Sequence, residues 1–142
     1  MIHRSKKETM NIQAIGGIGP VNAERLRGAG VNTVASLLEA GASKAGRKQL
    51  SAATGLAEDL LLEWVNRANL MRVRGIGTQY SDLLEAAGVD TVKELRRRRA
   101  DNLQEALHEV NEARHLVRRT PTEAEVGRWI ARAQELAPLV SY

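Results

Sequence analysis

Ile15-Gly16-Gly17-Ile18-Gly19-Pro20-Val21-Asn22-Ala23 decides the fold, because it returns as Val73-Arg74-Gly75-Ile76-Gly77-Thr78-Gln79-Tyr80-Ser81. The offset is 58 residues, and ten of 26 positions agree between Ile15–Ala40 and Val73–Arg98. They are Gly17, Ile18, Gly19, Leu26, Ala29, Gly30, Val31, Thr33, Val34 and Leu37. A fixed-period repeat of this kind sets the architecture. Its centre is a Gly-apolar-Gly turn that opens a helix. Backbone N–H groups at such a turn point outward and can receive a phosphate oxygen.

Helix ends are legible on both sides of the turn. Pro20 suits the first helical position. The helix it opens runs to Ala29, and Gly30 then supplies a left-handed cap. With Gly30 at C′, Leu26 and Val31 occupy the two positions whose apolar contact closes a Schellman motif. Leu84, Gly88 and Val89 repeat the arrangement. Thr33 and Thr91 start the next helices, Thr91-Val92-Lys93-Glu94 as a capping box. Ser43 caps a helix to about Ala53, and Thr54-Gly55-Leu56 breaks the chain. Near-continuous helix is expected from Leu60 through Val73, with Leu61, Trp64, Val65 and Ala68 at helical spacing.

In the second copy Asp101, with Gln104, is expected to cap a longer helix striped by Leu103, Ala106, Leu107, Val110, Ala113 and Val117. Thr120-Pro121-Thr122-Glu123 predicts another capping box, with Pro at the first helical position. The last helix carries Val126, Trp129, Ile130 and Ala133. Trp129 answers Trp64 at an offset of 65, which places a seven-residue insertion inside the second copy. No stretch alternates as a strand would. The expectation is an all-α chain of two tandem five-helix bundles. It divides into a basic segment 1–14, repeats 15–72 and 73–138, and an apolar tail 139–142.

Composition bounds the function. The 142 residues contain no cysteine, which excludes disulfides, thiol catalysis and Cys-ligated metals. No apolar run approaches the roughly 20 residues of a membrane span. Met1–Met10 lacks the apolar core of a secretory signal, so a cytoplasmic setting is expected. The net charge of +4 divides as +2 in residues 1–14, +2 in 15–72 and zero in 73–142. That allows nucleic-acid binding without demanding it.

The two Gly-Ile-Gly stretches, each followed by a helix with a small residue, resemble the helix-hairpin-helix motif. Thr54-Gly55-Leu56 resembles a degenerate second hairpin, whose place Arg119-Thr120-Pro121-Thr122 would take in copy two. The whole chain, including Glu63-Trp64-Val65-Asn66-Arg67-Ala68 and Leu116-Val117-Arg118-Arg119, is similar to a bacterial family of uncharacterised tandem helix-hairpin-helix proteins. That resemblance implies a SAM-like architecture. In the wider superfamily it implies sequence-independent binding of double-stranded DNA through hairpin backbone amides. On this chain those residues are Gly17, Ile18, Gly19, Gly75, Ile76, Gly77 and Thr78. Pro20 has no N–H to give, whereas Thr78 adds a hydroxyl. Superfamily members that bind DNA often carry Lys or Arg just after the hairpin, where this chain has Val21-Asn22 and Gln79-Tyr80.

Arg72 and Arg74 flank the second hairpin and are the best-placed cations. Lys44, Arg47 and Lys48, and the run Arg96-Arg97-Arg98-Arg99, form a supporting basic patch or else solvated helix ends. His108, Glu112 and His115 share a helix face but lack further ligands, so no metal is expected. Trp64 and Trp129 read as core, and Tyr80 either stacks or covers apolar surface. No catalytic constellation is present, and no cofactor or small-molecule substrate is indicated. The expected function is a non-catalytic DNA-binding module. The alternative is a protein-interaction or scaffold module that keeps the fold without nucleic acid.

Overall fold

The computed structural model describes residues 10–142. The expectations that fall on residues 1–9, including most of the basic segment and His3, lie outside the described residues. Among the described residues the chain is all-helical. A 3-10 turn, Ile12–Ala14, precedes α1 (Pro20–Gly28), α2 (Val34–Gly41), α3 (Lys44–Thr54), α4 (Glu58–Leu70), α5 (Thr78–Ala86), α6 (Val92–Arg96), α7 (Ala100–Arg114) and α8 (Glu123–Glu135). Two compact units result. One takes residues 10–69 with Pro138–Tyr142, and the other takes Leu70–Ala137. The first reaches five helical elements only when its 3-10 turn is counted, and the second holds four α-helices.

In the first unit, α2 and α1 both pack against α3, and the 3-10 turn rests on α1 and α2. Asn11 and Thr33 form an isolated bridge, with Ile12 N donating to Asn32 O at 3.3 Å and Val34 N to Met10 O at 2.8 Å. Ile12, Leu26, Leu37, Leu61 and Trp64 are buried in the core. In the second unit α6 and α7 pack on α8, and α5 packs on α7. Its core joins Val73, Ile76, Leu84, Leu95, Leu107 and Trp129.

Both Schellman caps form. Val31 N donates to Leu26 O at 2.9 Å and Gly30 N to Arg27 O at 2.9 Å; Val89 and Gly88 repeat the pair on Leu84 and Glu85 at 2.8 and 2.9 Å. Gly30 and Gly88 take φ of 84° and 90°, the left-handed conformation that favours glycine. Thr33 and Ser43 cap α2 and α3 through their hydroxyls.

Elsewhere the helix ends depart from expectation. At Thr91 only half the capping box forms: its hydroxyl accepts from Glu94 N, while the Glu94 carboxylate faces Arg98 at 3.6 Å. α4 ends at Leu70, where its apolar spacing runs out, and only the near-continuous helix expected through Val73 is interrupted. Turns from Val73 N to Leu70 O and from Ile76 N to Val73 O bend the chain there, burying Val73 and Ile76 in the second core. α7 begins at Ala100 with Arg99 as its N-cap, and Asp101 instead accepts from Asn102 N and from Arg99. The Asn102 amide, ahead of the Arg99 charge, holds the Asp101 carboxyl below its ordinary range. Gln104 donates to Pro121 O. In the apolar stripe Ala113 is exposed and Val117 lies past the helix end; the buried residue of that last turn is Asn111.

Asn111 explains the loop that follows. Its side chain accepts from Val117 N at 2.9 Å and donates to Val117 O at 3.1 Å and to Thr120 Oγ1 at 3.3 Å. A buried amide with its donors and acceptor engaged orders a loop without an apolar core of its own. The left-handed cap of α3 is Gly55, and its counterpart at the end of α7 is His115, at φ 51°. Arg119–Thr122 stands directly before α8 as 54–57 stands before α4, but the left-handed cap lies earlier, at His115. The insertion sits largely in this region. α7 has 15 residues where α3 has 11, and eight residues join α7 to α8 where three join α3 to α4.

The capping box of α8 is real but lies two residues later than expected. Thr122 is the N-cap and Glu125 closes the box, so Pro121 precedes the helix and is buried. The Glu125 carboxylate also receives both guanidinium nitrogens of Arg119, at 2.6 and 3.0 Å. Such a fork is stronger than a single charged contact. Hydrogen bonding from Arg119, followed by that from the Thr122 amide, lowers the Glu125 pKa from 4.5 to about 2. A depressed carboxylate pKa adds stability above the unfolded value, lost as pH falls through the folded value. Arg119 stays charged throughout. Glu125→Gln keeps a box-competent side chain but loses the ion pair. Its melting temperature should lie below that of the wild type at pH 7, with the gap closing between pH 4.5 and about pH 2. Thermal melts of both proteins across that range check this; a gap independent of pH would contradict it.

Candidate functional site

Each Gly-Ile-Gly turn is built in the same way. Gly17 and Gly75 take φ of 94° and 100°. Ile18 and Ile76 point their side chains into the cores, at 4% and 0% exposure. Their backbones close the inner turn, Ile18 N donating to Ile15 O at 3.2 Å and Ile76 N to Val73 O at 3.0 Å. Gly19 and Gly77 are the N-caps of α1 and α5, and neither helix start has a side-chain cap. Thr or Ser hydroxyls cap α2, α3, α6 and α8. Uncapped helix starts leave first-turn N–H groups for water or a ligand, on the positive end of the macrodipole. Pro20 removes one donor in the first copy; Thr78, half-buried, supplies both N–H and hydroxyl in the second.

The tryptophans seat the turns. A β-carbon at Gly75 would lie 2.7 Å from Trp129 Nε1, and one at Gly17 would lie 3.5 Å from Trp64 Nε1. Both indoles are buried at 2% exposure, as core. Tyr80 stacks on no open face. Its ring lies tilted against Trp129, centroids 5.1 Å apart, and its hydroxyl donates to Arg119 O at 3.1 Å.

A second contact recurs at each turn, and the sequence had not revealed it. Arg67 Nη1 donates to Gly16 O at 2.9 Å, and Arg132 Nη1 donates to Arg74 O at 2.6 Å. Each arginine stands three positions after its tryptophan, on the last helix of its unit. The Trp-x-x-Arg spacing, repeated at the 65-residue offset, was the signal available. The last helix of each unit thus supplies a guanidinium to a carbonyl at the Gly-Ile-Gly turn.

The supporting basic patch is thinner than the sequence indicated. Arg47 is buried at 4% exposure, so it does not belong to a surface patch. Its guanidinium donates to Gly41 O, Ala42 O and Ser141 O at 2.9, 3.2 and 2.7 Å, fastening the C-terminal residues to the end of α2. Lys44 and Lys48 remain exposed on α3. In the arginine run, Arg98 faces Glu94, Arg99 pairs with Asp101 at 2.9 Å, Arg96 is half-buried and Arg97 is exposed. Arg74 is exposed, and Arg72 is half-buried, its pKa lowered by that burial. His108 Nε2 lies 3.8 Å from Glu112 Oε1, while His115 leaves the helix as its left-handed cap. Among the described residues no group of three or more His, Asp or Glu could hold a metal ion. No helix among them is long and apolar enough to cross a membrane.

The glycines separate conformational from steric cost. Gly75→Ala meets both a left-handed φ and the indole, and should lose about 2 kcal/mol or more. Gly17→Ala meets chiefly the φ penalty and should lose roughly 1–2 kcal/mol. Gly19→Ala has open space and ordinary backbone, so its loss should be a few tenths of a kcal/mol. Urea unfolding of the three variants reads the order directly; equal losses would refute the role given to Trp129.

No curated protein and no solved structure matches the chain significantly. Residues 16–136, from the first hairpin to the end of the last helix, match the domain of unknown function DUF4332, and the chain belongs to that family.

Proposed function

We propose that this protein is a non-catalytic, sequence-independent binder of double-stranded DNA. In this reading its two Gly-Ile-Gly turns are helix-hairpin-helix motifs in tandem bundles, and they give backbone N–H groups to phosphates. The carrying observation is that α1 and α5 both start at a glycine without a side-chain cap, two residues after a left-handed glycine. Arg74, Lys44 and Lys48, all exposed, add positive charge. Phosphate contacts position a protein on a duplex without reading its bases. No cofactor or small-molecule substrate enters this reading. A bacterial, cytoplasmic setting accompanies it, resting on the resemblance and the cysteine-free sequence.

One observation favours a second reading, a protein-interaction module. Val21, directly after the first hairpin, is 67% exposed, an apolar residue where DNA-binding hairpins often carry a cation. Pull-down from the native host with nuclease treatment separates the two.

The direct test is titration of two unrelated duplexes at about 50 and about 200 mM salt. Both duplexes should bind with similar affinity, and affinity should drop steeply at the higher salt. Arg74→Ala should weaken both equally. Absence of salt-dependent binding at the lower concentration defeats the proposal.

A further inference from the structure

The paired arginine contacts assign a role that the hairpin residues alone do not reveal. A trans peptide is planar, so its C=O and N–H point in opposite directions. Arg67 draws the Gly16 carbonyl to itself at 2.9 Å. The N–H of the same peptide plane belongs to Gly17, and it is therefore turned away from the guanidinium. Arg132 fixes the Arg74–Gly75 plane in the same way at 2.6 Å. Both glycines are exposed. Their left-handed φ leaves the preceding peptide few steric restraints, because glycine alone tolerates either orientation about as readily. A peptide next to glycine needs an outside contact to hold it, and in both units the last helix provides one.

We propose that Arg67 and Arg132 are positioning residues: each holds one hairpin peptide plane so that the Gly17 or Gly75 N–H is presented to an anion. The inference deepens the DNA-binding reading and rests on it for the identity of the anion, a backbone phosphate. A merely structural arginine would stabilise its unit without affecting the two hairpins separately. The recurrence of carbonyl, glycine, tryptophan and arginine in both units argues for the specific role.

The experiment uses the full chain, isotope-labelled, with Arg67→Met and Arg132→Met. Methionine keeps an unbranched apolar stem and removes the donors. Two readouts are taken: the Gly17 and Gly75 amide resonances, and their response to a short mixed-sequence duplex. In Arg132→Met the Gly75 amide should move and its DNA response vanish, while Gly17 responds as before. Arg67→Met should give the mirror result. Each variant should bind DNA about tenfold more weakly, the worth of a charge-assisted contact, with an unchanged salt dependence. If either variant fails to fold, Arg→Gln at that position, which keeps a polar side chain too short to reach the carbonyl, carries the same readouts.

Unmoved glycine amides, or unchanged affinity where the wild type binds, would overturn the inference. So would a salt slope reduced by about one, because the guanidinium would then be neutralising a phosphate itself. If the wild type gives no DNA response at all, the DNA reading fails. The amide shifts then still decide whether the arginines hold the hairpin planes.

Discussion

In each unit a tryptophan indole lies against the space that a β-carbon would fill on the hairpin glycine. This contact joins the first turn of the unit to its last helix. At Gly75 the clearance is less than a side chain needs, and at Gly17 it is just sufficient. Gly75 is therefore required twice over, for its left-handed φ and for its missing side chain, whereas Gly17 is required chiefly for its φ. Burying the indole contributes much of the hydrophobic stabilisation available to so small a unit. Truncating a buried aromatic typically costs about 3–5 kcal/mol, a large part of what a small domain has in total. Without the tryptophan the turn has no floor, and without Gly75 the last helix of the second unit could not approach as closely.

Electrostatics follow from the same geometry. Arg47, Arg67 and Arg132 each donate to backbone carbonyls at a turn or helix end. Those carbonyls have no helical N–H to accept from, and a guanidinium satisfies them with several donors at once. A formal charge of +4 therefore overstates the cationic surface, because part of it is committed to the fold. Arg74, Lys44, Lys48 and Arg97 are among the cations that remain exposed. An interface that used such cations would draw its salt dependence from them and its register from oriented amides.

Legibility in the sequence followed the range of each interaction. The Schellman caps at Gly30 and Gly88 are closed by bonds spanning five residues, and residue types at fixed spacing revealed both. Thr33 and Ser43 were equally legible as caps, because a hydroxyl reaches only its own first turn. At Thr91 the partner carboxylate had a competing cation one turn away, and the local rule was only half obeyed. At Thr122 the true box was displaced because Arg119 and the buried Pro121 set the helix start from outside it. Asn111 stands among the striped positions of α7 without being one of them, yet it organises the following loop. The repeated Trp-x-x-Arg spacing marks Arg67 and Arg132 as a pair, but nothing local names their acceptors, carbonyls 51 and 58 residues away. The glycines were legible as a tight turn; what holds that turn was not.

Comparison of the two copies bears on which reading suits the hairpins. Glycine, buried isoleucine, tryptophan and arginine are the same in both, and all of them shape the turn from within. The residues that follow, Pro20-Val21-Asn22 and Thr78-Gln79-Tyr80, have nothing in common. One of them, Tyr80, is turned inward to cover Trp129 and to bond Arg119. A partner recognised through side chains would impose like residues at both outward positions, or would have to differ between the copies. A phosphate recognised through backbone N–H groups imposes neither, since the amide is present whatever the side chain, proline excepted. Divergent surfaces over identical backbone turns therefore favour a ligand that reads backbone, with the proline-free second hairpin the better equipped of the two.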